Sequence, residues 1–431
     1  MIKYKILLPS VLTGLISLVT TEVTLANDPF WEALTSGKVD FSARYRYENV
    51  DNDLAPKEAH ASTLRTALGY KTGIFYNFDA RILLQDVRTV GANDYNDATG
   101  RPSAKTQYAV VADPTDTDYI EGYLGFSGVK DTYAKLGRQL ITYRKAPFHR
   151  FIGNILWRQN WQNFDAMTLQ NTSMPDTTIS YAYVWNVNRI FTEKAVASAA
   201  ANFDSDSHFI NVKYNGLGFT RLEAYTYLLD FNNAPQFSTD TFGLRADGAI
   251  SLSQSLKALY AGEYAYQTDA GDNLSGFSGN YILGELGASI TKPLNFIDAV
   301  TVKASYELLE GDGDVNTGIN SFNTILGTNH AYQGWADRFV VTPDDGIQDY
   351  YLTGIIKTFG ASFVAVYHDL NSDNLDYNYG EELDLMVTKK FLKHYLVGVK
   401  YSDYSADRNA NNSGATAADV SKFWAWISIS F

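Results

Sequence analysis

The stretch Ser421-Lys-Phe-Trp-Ala-Trp-Ile-Ser-Ile-Ser-Phe431 decides the fold class of this 431-residue chain. Its side chains fall into two sets that alternate along the chain. One parity holds Phe423, Ala425, Ile427, Ile429 and Phe431, and the other holds Trp424, Trp426, Ser428 and Ser430. A period of two residues is that of a β-strand whose two faces meet different surroundings. The stretch therefore predicts a strand with one apolar face that ends on an aromatic residue.

Period-two segments recur along the whole chain and predict eighteen strands, with sixteen as the alternative count. The predicted strands are 39–49, 61–71, 74–88, 117–127, 131–141, 162–171, 177–187, 206–215, 217–229, 240–252, 255–267, 280–291, 299–310, 348–358, 360–369, 380–389, 394–403 and 421–431. Each is close to the ~10 residues that a tilted membrane strand needs. Long gaps alternate with short ones, which is typical of barrels with long extracellular loops and short periplasmic turns. The pattern predicts an all-β, transmembrane, antiparallel β-barrel.

Charged side chains occupy one face of several predicted strands. In the first strand, Arg44 and Arg46 lie opposite Phe41 and Tyr45. The same segregation occurs in 217–229, 255–267 and 299–310. A lysine or arginine facing lipid at the bilayer midplane costs ~2–4 kcal/mol, whereas a wet lumen tolerates it. The sequence therefore predicts lipid outside the barrel and a polar lumen inside it.

The amino terminus has the features of a secretory signal peptide. Lys3 and Lys5 precede a short apolar stretch, and Thr24-Leu25-Ala26 is a small-residue cleavage site. We therefore expect residues 1–26 to be a signal peptide and residues 27–431 to form the barrel.

Composition excludes several classes of protein. The absence of cysteine excludes a disulfide scaffold, a thiol enzyme and a cysteine zinc site. The net charge of −13 argues against nucleic acid as a partner.

Barrels of the bacterial outer membrane commonly end on an aromatic residue, so we expect Phe431 to engage the barrel-assembly machinery in the outer membrane of a Gram-negative bacterium.

One stretch inverts the acidic balance of the chain. Residues 132–164 contain six basic residues and no aspartate or glutamate. We predict that this stretch folds inward and lines an anion-selective constriction. The expected pore residues are Arg138, Arg144, Arg150, Arg158 and Trp157 from the stretch, with Arg44, Arg46, Arg65 and Arg81 from the predicted wall. The alternative is a loop packed on the wall, with its arginines paired to luminal acids.

The same stretch resembles the alginate-export family of outer-membrane porins. The resemblance is carried by Leu136-Gly-Arg-Gln-Leu140, Arg150-Phe-Ile-Gly-Asn154 and Trp157-Arg-Gln-Asn-Trp-Gln-Asn-Phe-Asp-Ala166, and by Leu326-Gly-Thr-Asn-His-Ala-Tyr-Gln-Gly-Trp-Ala-Asp-Arg338. It implies an 18-stranded monomeric barrel with an arginine-rich pore that passes a polyuronate. The chain is shorter than expected of a dedicated alginate exporter.

The longest gap, 311–347, is too long for an idle connector. His330, Trp335, Asp337 and Arg338 are expected to fold over the pore as a lid, although Asp337 and Arg338 could equally form a structural ion pair. Asp312 and Asp314 resemble half of a calcium loop. The glycine and glutamate of a complete loop are missing, so no metal is expected beyond a single weak contact.

The function that follows is passive diffusion of a hydrophilic anion, with an acidic polysaccharide or oligosaccharide as the first choice of solute. The alternatives are a porin for small organic anions and a surface-binding barrel that does not conduct. No cofactor is expected. An enzyme is disfavoured because the six histidines show no paired metal spacing and no nucleophile motif precedes a helix.

Overall fold

The structure, a computed structural model, describes residues 28–313 and 319–431. The expected signal peptide, residues 1–26, lies outside these ranges. A short helix, α1 (Pro29–Thr35), begins at the capping residue Asp28, whose side chain accepts from the amide of Phe30. A second, α2 (Ser198–Ala201), lies in a loop. In these ranges, no helix is long and apolar enough to cross a membrane.

Eighteen strands make up nearly all of the remaining regular structure. They are β1 (Lys38–Asn52), β2 (Ala59–Lys71), β3 (Phe78–Asp94), β4 (Asp116–Phe126), β5 (Thr132–Gln139), β6 (Asn163–Asn171), β7 (Thr177–Asn188), β8 (Asn202–Tyr214), β9 (Thr220–Leu229), β10 (Thr239–Ser251), β11 (Leu256–Asp269), β12 (Ser278–Leu294), β13 (Ile297–Leu309), β14 (Ile347–Thr358), β15 (Ala361–Asn371), β16 (Asn378–Phe391), β17 (Tyr395–Ala406) and β18 (Val420–Ser430). The predicted count of eighteen is confirmed, and the alternative of sixteen is wrong.

The strands form one closed antiparallel sheet. Each strand pairs with its neighbours in sequence, and β1 closes the ring against β18. Tyr45 of β1, for example, lies opposite Leu64 of β2 on one side and opposite Ile427 of β18 on the other. Closure gives each of these eighteen strands two partners for its backbone hydrogen bonds.

Strand ends differ from the prediction where turn geometry intervenes. The third strand begins at Phe78 and not at residue 74, because Tyr76 and Asn77 adopt positive φ angles of 46° and 69° and turn the chain. Two-residue turns join β12 to β13 and β14 to β15. In the second of these, Phe359 and Gly360 have φ angles of 48° and 70°, as a primed hairpin turn requires.

The connections on the opposite end of the barrel include the long ones, 95–115, 140–162 and 310–346. Two other connections at this end, 53–58 and 372–377, are no longer than some turns at the opposite end, because their flanking strands continue past the predicted ends.

The two faces of the wall differ as predicted. Arg46 and Glu48 are 1% exposed and point into the barrel, whereas Phe41 and Tyr45 of the same strand are exposed on the outside. Outward positions elsewhere are also large and apolar, such as Leu244 at 66%. The buried core is therefore inside the ring. Much of it is built by loops that fold inward, with Phe151 packed against Tyr225, Tyr281 and Phe322.

Candidate functional site: the loop-filled lumen

The segment 140–162, here called the crossing loop, runs across the lumen. At one end Arg44 of β1 donates from Nη1 to the carbonyl oxygen of Leu156 (2.9 Å) and from Nη2 to that of Trp157 (3.1 Å). At the other end Arg144 donates to Glu223 of β9 (3.0 Å) and Glu263 of β11 (2.6 Å). Since β1 and β11 lie on opposite sides of the ring, the loop spans the barrel. The predicted inward fold is thus seen.

The arginines of the predicted constriction each meet a carboxylate. Arg150 lies 3.1 Å from Glu307 of β13, and Arg158 lies 3.2 Å from Glu48 of β1. Arg138 pairs with Asp118 and Asp165. These partners belong to different strands, so the arginines are distributed around the lumen and are not gathered in one place. The contacts are those of the ion-paired alternative, and the role of these residues in selectivity stays a prediction.

The segment 319–346, here called the lid, also folds inward and joins the crossing loop. The amide of Gly153 donates to the carbonyl oxygen of Leu326 (2.9 Å), and the amide of Thr328 donates to that of His149 (2.8 Å). The ring of His330 stacks on Trp157 at 4.8 Å between centroids and 7° between planes. The two loops therefore form one body inside the barrel.

His330 links an acid to a base through both of its ring nitrogens. Nδ1 lies 2.6 Å from Asp337 Oδ1, and Nε2 lies 2.7 Å from Nζ of Lys400. A carboxylate only accepts and an ammonium only donates, so these two contacts fit a neutral His330 with its proton on Nδ1. Burial lowers the pKa of His330 to about 3, with Asp337 opposing and Lys400 adding to the shift. The ring is therefore uncharged at neutral pH.

Lys400 of β17 lies in a cage of three tryptophans. Its Nζ is 3.8 Å from the ring centre of Trp335, 4.3 Å from that of Trp157 and 5.2 Å from that of Trp424. Cation–π contacts of this kind are worth roughly 2 kcal/mol when water is excluded. The cage joins the lid, the crossing loop and the wall. Lys400 and Trp424 were not predicted from the sequence, although both lie on the luminal parity of their strands.

Acidic side chains of the wall hold the lid through its backbone. The amide of Trp335 donates to Asp384 (3.1 Å) and the amide of Ala336 donates to Glu382 (2.7 Å). Gly334 allows this approach, because it has a φ of +84° and a Cβ there would lie 2.2 Å from Glu382 Oε2. Neither Glu382 nor Asp384 was predicted from the sequence, where their only signal is a shared parity in β16.

Asp337 does not pair with its neighbour Arg338, so that alternative is wrong. Asp337 instead lies 2.7 Å from Lys422 and 3.2 Å from Arg158. Burial alone would raise its pKa, but the hydrogen bond from His330 and the charges of Lys422 and Arg158 outweigh burial and hold the pKa well below the usual range. Arg338 turns away and donates to Asn52 at 2.9 Å. A local sequence pair gave no indication of these long-range partners.

Two arginines of the wall differ from the ion-paired arginines above, because their bonded partners in the described part of the chain are neutral. Arg65 of β2 donates from Nε to Gln85 (2.7 Å) and from Nη1 to Ser42 (3.2 Å), and its guanidinium stacks on Trp161 at 3.5 Å. Arg65 is 2% exposed, and its Nη2 has no hydrogen-bond acceptor in the described part of the chain. Arg44 likewise bonds only carbonyl and amide oxygens there.

The other two predicted wall arginines are paired with acids. Arg46 lies against Asp113 and 3.1 Å from Glu48, and Arg81 bonds both Asp40 and Glu121. Of the four wall arginines expected to line the pore, Arg44 and Arg65 are therefore the two whose charge is not offset by a bonded carboxylate within residues 28–313 and 319–431.

The calcium hypothesis stays a prediction. Asp314 lies outside the described residues, and Asp312 lies just before that gap. Among the described residues, no group of three or more histidine or acidic side chains is arranged to hold a metal ion.

The sequence matches no protein-family model, and it matches no curated protein. The fold, in contrast, resembles several solved structures. OccAB4 of Acinetobacter baumannii has a TM-score of 0.65 and 11% identity, and the match covers 93% of this chain and 99% of that one. OccK9 (OpdG) of Pseudomonas aeruginosa has a TM-score of 0.66 and 13% identity, with 93% and 99% covered.

OpdK of Pseudomonas aeruginosa, whose structure was solved with vanillate, has a TM-score of 0.66 and 11% identity, with 92% and 99% covered. Coverage close to the full length of these chains means that the likeness extends over the whole barrel. At such low identity it concerns the fold alone. The chain is thus a closed, eighteen-stranded antiparallel barrel of the same architecture as these proteins.

Proposed function

We propose that this protein is a passive channel of the outer membrane of a Gram-negative bacterium and that it conducts small organic anions. The apolar outer face supports the membrane placement. Closure of the sheet supports it as well, because only a closed barrel satisfies all strand N–H and C=O groups in lipid. The wall side chains of an eighteen-stranded barrel do not fill its lumen, which leaves room for a path through it. In this barrel the crossing loop and the lid narrow that path. We propose that it works as a monomer without a cofactor.

The observation that carries this proposal is the uncompensated charge of Arg65 and Arg44. A buried guanidinium with neutral partners keeps its full field, and low-dielectric walls focus that field into the lumen. Nη2 of Arg65 is buried without a hydrogen-bond acceptor in the described part of the chain, so no bonded partner there offsets its share of the charge. Trp161 stacks on this guanidinium at 3.5 Å and holds it in place.

The loops favour a small solute over a polymer. The crossing loop and the lid are joined to each other by backbone hydrogen bonds and to the wall by buried ion pairs. A polysaccharide would need a continuous wide path, whereas a small carboxylate needs only a gap beside the Arg44–Arg65 wall. The fold likeness to OpdK, solved with vanillate, an aromatic carboxylate, supports the same choice.

An acidic oligosaccharide is the second candidate. It rests on the sequence resemblance to the alginate-export family, which gains no support from a family-model match. The arginine and tryptophan side chains that favour it also suit a small anion, so the width of the path decides between the two solutes.

The test compares the two solutes directly. The purified full-length barrel would be placed in liposomes, and uptake of vanillate would be measured beside uptake of a uronic-acid hexamer. We expect vanillate to enter faster by at least about tenfold, since the hexamer cannot pass the joined loops. Equal rates, or faster entry of the hexamer, would overturn the choice of solute. A barrel that conducts no ion in a planar bilayer would instead favour the surface-binding alternative.

A further inference from the structure

A groove on the outer face of the barrel lies where the ring closes. It has a volume of about 370 Å³ and runs over β16, β17, β18 and β1. We propose that it binds an anionic glycerophospholipid of the periplasmic leaflet. This inference rests on the proposed placement of the barrel in an outer membrane, but it requires no conduction by the lumen.

Small and medium-sized apolar side chains form the floor of the groove, and larger ones flank them. Val399 lies beside Ala425, and Val397 lies beside Ile427, in the pairing of β17 with β18. Tyr45 and Tyr47 of β1 form one side of the groove, opposite Ile427 and Ala425. An outward trough lined by apolar groups suits an acyl chain, which gains by burying its methylenes against protein.

A lysine stands at the lower end of the groove. Lys389 of β16 pairs with Val397 and belongs to the groove lining, and its Nζ lies 5.3 Å from the ring centre of Phe391. Phe391 and Phe431 are 41% and 62% exposed, which is typical of the aromatic girdle at a membrane interface. Lys389 is therefore placed at the depth of lipid headgroups.

The part of the chain around Lys389 is basic. Residues 385–402 contain no aspartate or glutamate, and Lys393 is exposed in the turn that follows β16. His394 stacks on Phe431 at 4.8 Å and donates to the carbonyl oxygen of Ser430 (2.8 Å), which fixes the turn 392–394 against β18. The cluster is thus held beside the groove and complements a phosphate.

The opposite ends of the same strands carry the opposite charge. Glu381 of β16 and Asp403 of β17 are exposed on the outward parity near the long loops. A phosphorylated lipid of the outer leaflet would meet these acids, whereas a periplasmic-leaflet phospholipid meets the lysines. The charge asymmetry therefore selects the inner leaflet as the source of the lipid.

The test uses native mass spectrometry of the full-length barrel in a neutral detergent, with phosphatidylglycerol and phosphatidylcholine as probes. We expect phosphatidylglycerol to bind more tightly, and Lys389→Gln to weaken it by about fivefold while leaving phosphatidylcholine unchanged. Ala425→Leu, which fills the floor, should weaken both lipids. Lys130→Gln, in the exposed turn 127–131 of another part of the wall, is the matched control and should change neither.

Equal binding of the two lipids by the parent protein would overturn the proposal. So would equal effects of Lys389→Gln and Lys130→Gln, or a mass spectrum dominated by a dimer that Ala425→Leu dissociates, since a second copy would then occupy the groove. Channel conductance is measured separately in a planar bilayer. A barrel that binds phosphatidylglycerol in this way but conducts nothing would refute the proposed function and leave the lipid site standing.

Discussion

The crossing loop and the β1–β2 wall both place arginines in the lumen, and they treat the charge in opposite ways. Arg144, Arg150 and Arg158 of the loop lie within 3.2 Å of luminal carboxylates. Arg44 and Arg65 of the wall bond carbonyl, amide and hydroxyl oxygens. A paired arginine fastens the loop but adds little net field, whereas an arginine with neutral partners keeps its field, and we propose that this field sets the potential of the path. The partners of a basic residue, more than its abundance in a segment, decide its role.

The largest expected effect comes from breaking a loop pair on one side only. Arg150→Met would leave Glu307, which is fully buried, without its cation. Removing one member of a buried pair costs about 3–5 kcal/mol. We expect the crossing loop to detach, with a lower thermal unfolding midpoint and a larger single-channel conductance. The variant Arg150→Met combined with Glu307→Gln should recover much of the loss. If the single and double variants behave alike, the pair does not fasten the loop.

A smaller change is expected at Gly334 of the lid. Gly334→Ala would strain a backbone of positive φ and push against Glu382, at a cost of roughly 1–3 kcal/mol in lid docking. Hydrogen exchange of the Trp335 and Ala336 amides, which donate to wall carboxylates, would report the loosening. Gly262→Ala in β11, where a Cβ meets nothing within 4 Å, is the control. Unchanged exchange in Gly334→Ala would contradict the docking geometry.

Docking of the lid should also depend on pH. The docked state holds the pKa of His330 at about 3, compared with 6.5 for an unperturbed histidine, so the detached lid binds the extra proton. The contribution of His330 to the docking free energy is therefore intact above about pH 6.5 and weakens as the pH falls toward 3, by up to tenfold per pH unit in the equilibrium constant. Conductance should rise on acidification through this window. His330→Gln should remove that dependence, and an identical pH profile in both proteins would exclude His330 as its origin.

The architecture could be predicted from the sequence because a barrel wall repeats one local rule. Alternation within a strand, such as Arg44 and Arg46 against Phe41 and Tyr45, needs only nearest neighbours along the chain, and so does the alternation of gap lengths. Strand ends were less predictable. The start of β3 depends on the positive φ angles of Tyr76 and Asn77; asparagine tolerates such an angle, but nothing in the residue type of Tyr76 indicates one.

The lumen could be predicted only in part. Length and charge marked the crossing loop and the lid as candidates to fold inward, but they did not decide which loop enters the lumen. The pairing of Arg158 with Glu48, or of His330 with Lys400, joins residues far apart in the chain, and parity gives only the face on which each one lies. The same limit made Asp337 and Arg338 look like a local pair, although the partners of Asp337 lie on the lid, the crossing loop and the wall, and Arg338 bonds Asn52 of the wall.

Charge variants of the two sets of arginines separate their roles. Arg65→Gln removes an unpaired wall charge, and Arg65→Lys keeps the charge without the bidentate fork. Arg150→Gln combined with Glu307→Gln removes a loop pair at no net change in charge. All of these proteins, if folded, can be compared in a planar bilayer under a salt gradient.

The reversal potential in that gradient tests most directly whether the unpaired wall charge selects the anion. The parent protein, Arg65→Lys and the paired loop variant should all show anion preference, whereas Arg65→Gln should lose most of it. If Arg65→Gln keeps full anion selectivity while the paired loop variant loses it, the anion is selected by the crossing loop and not by the β1–β2 wall, which contradicts the role proposed for Arg65.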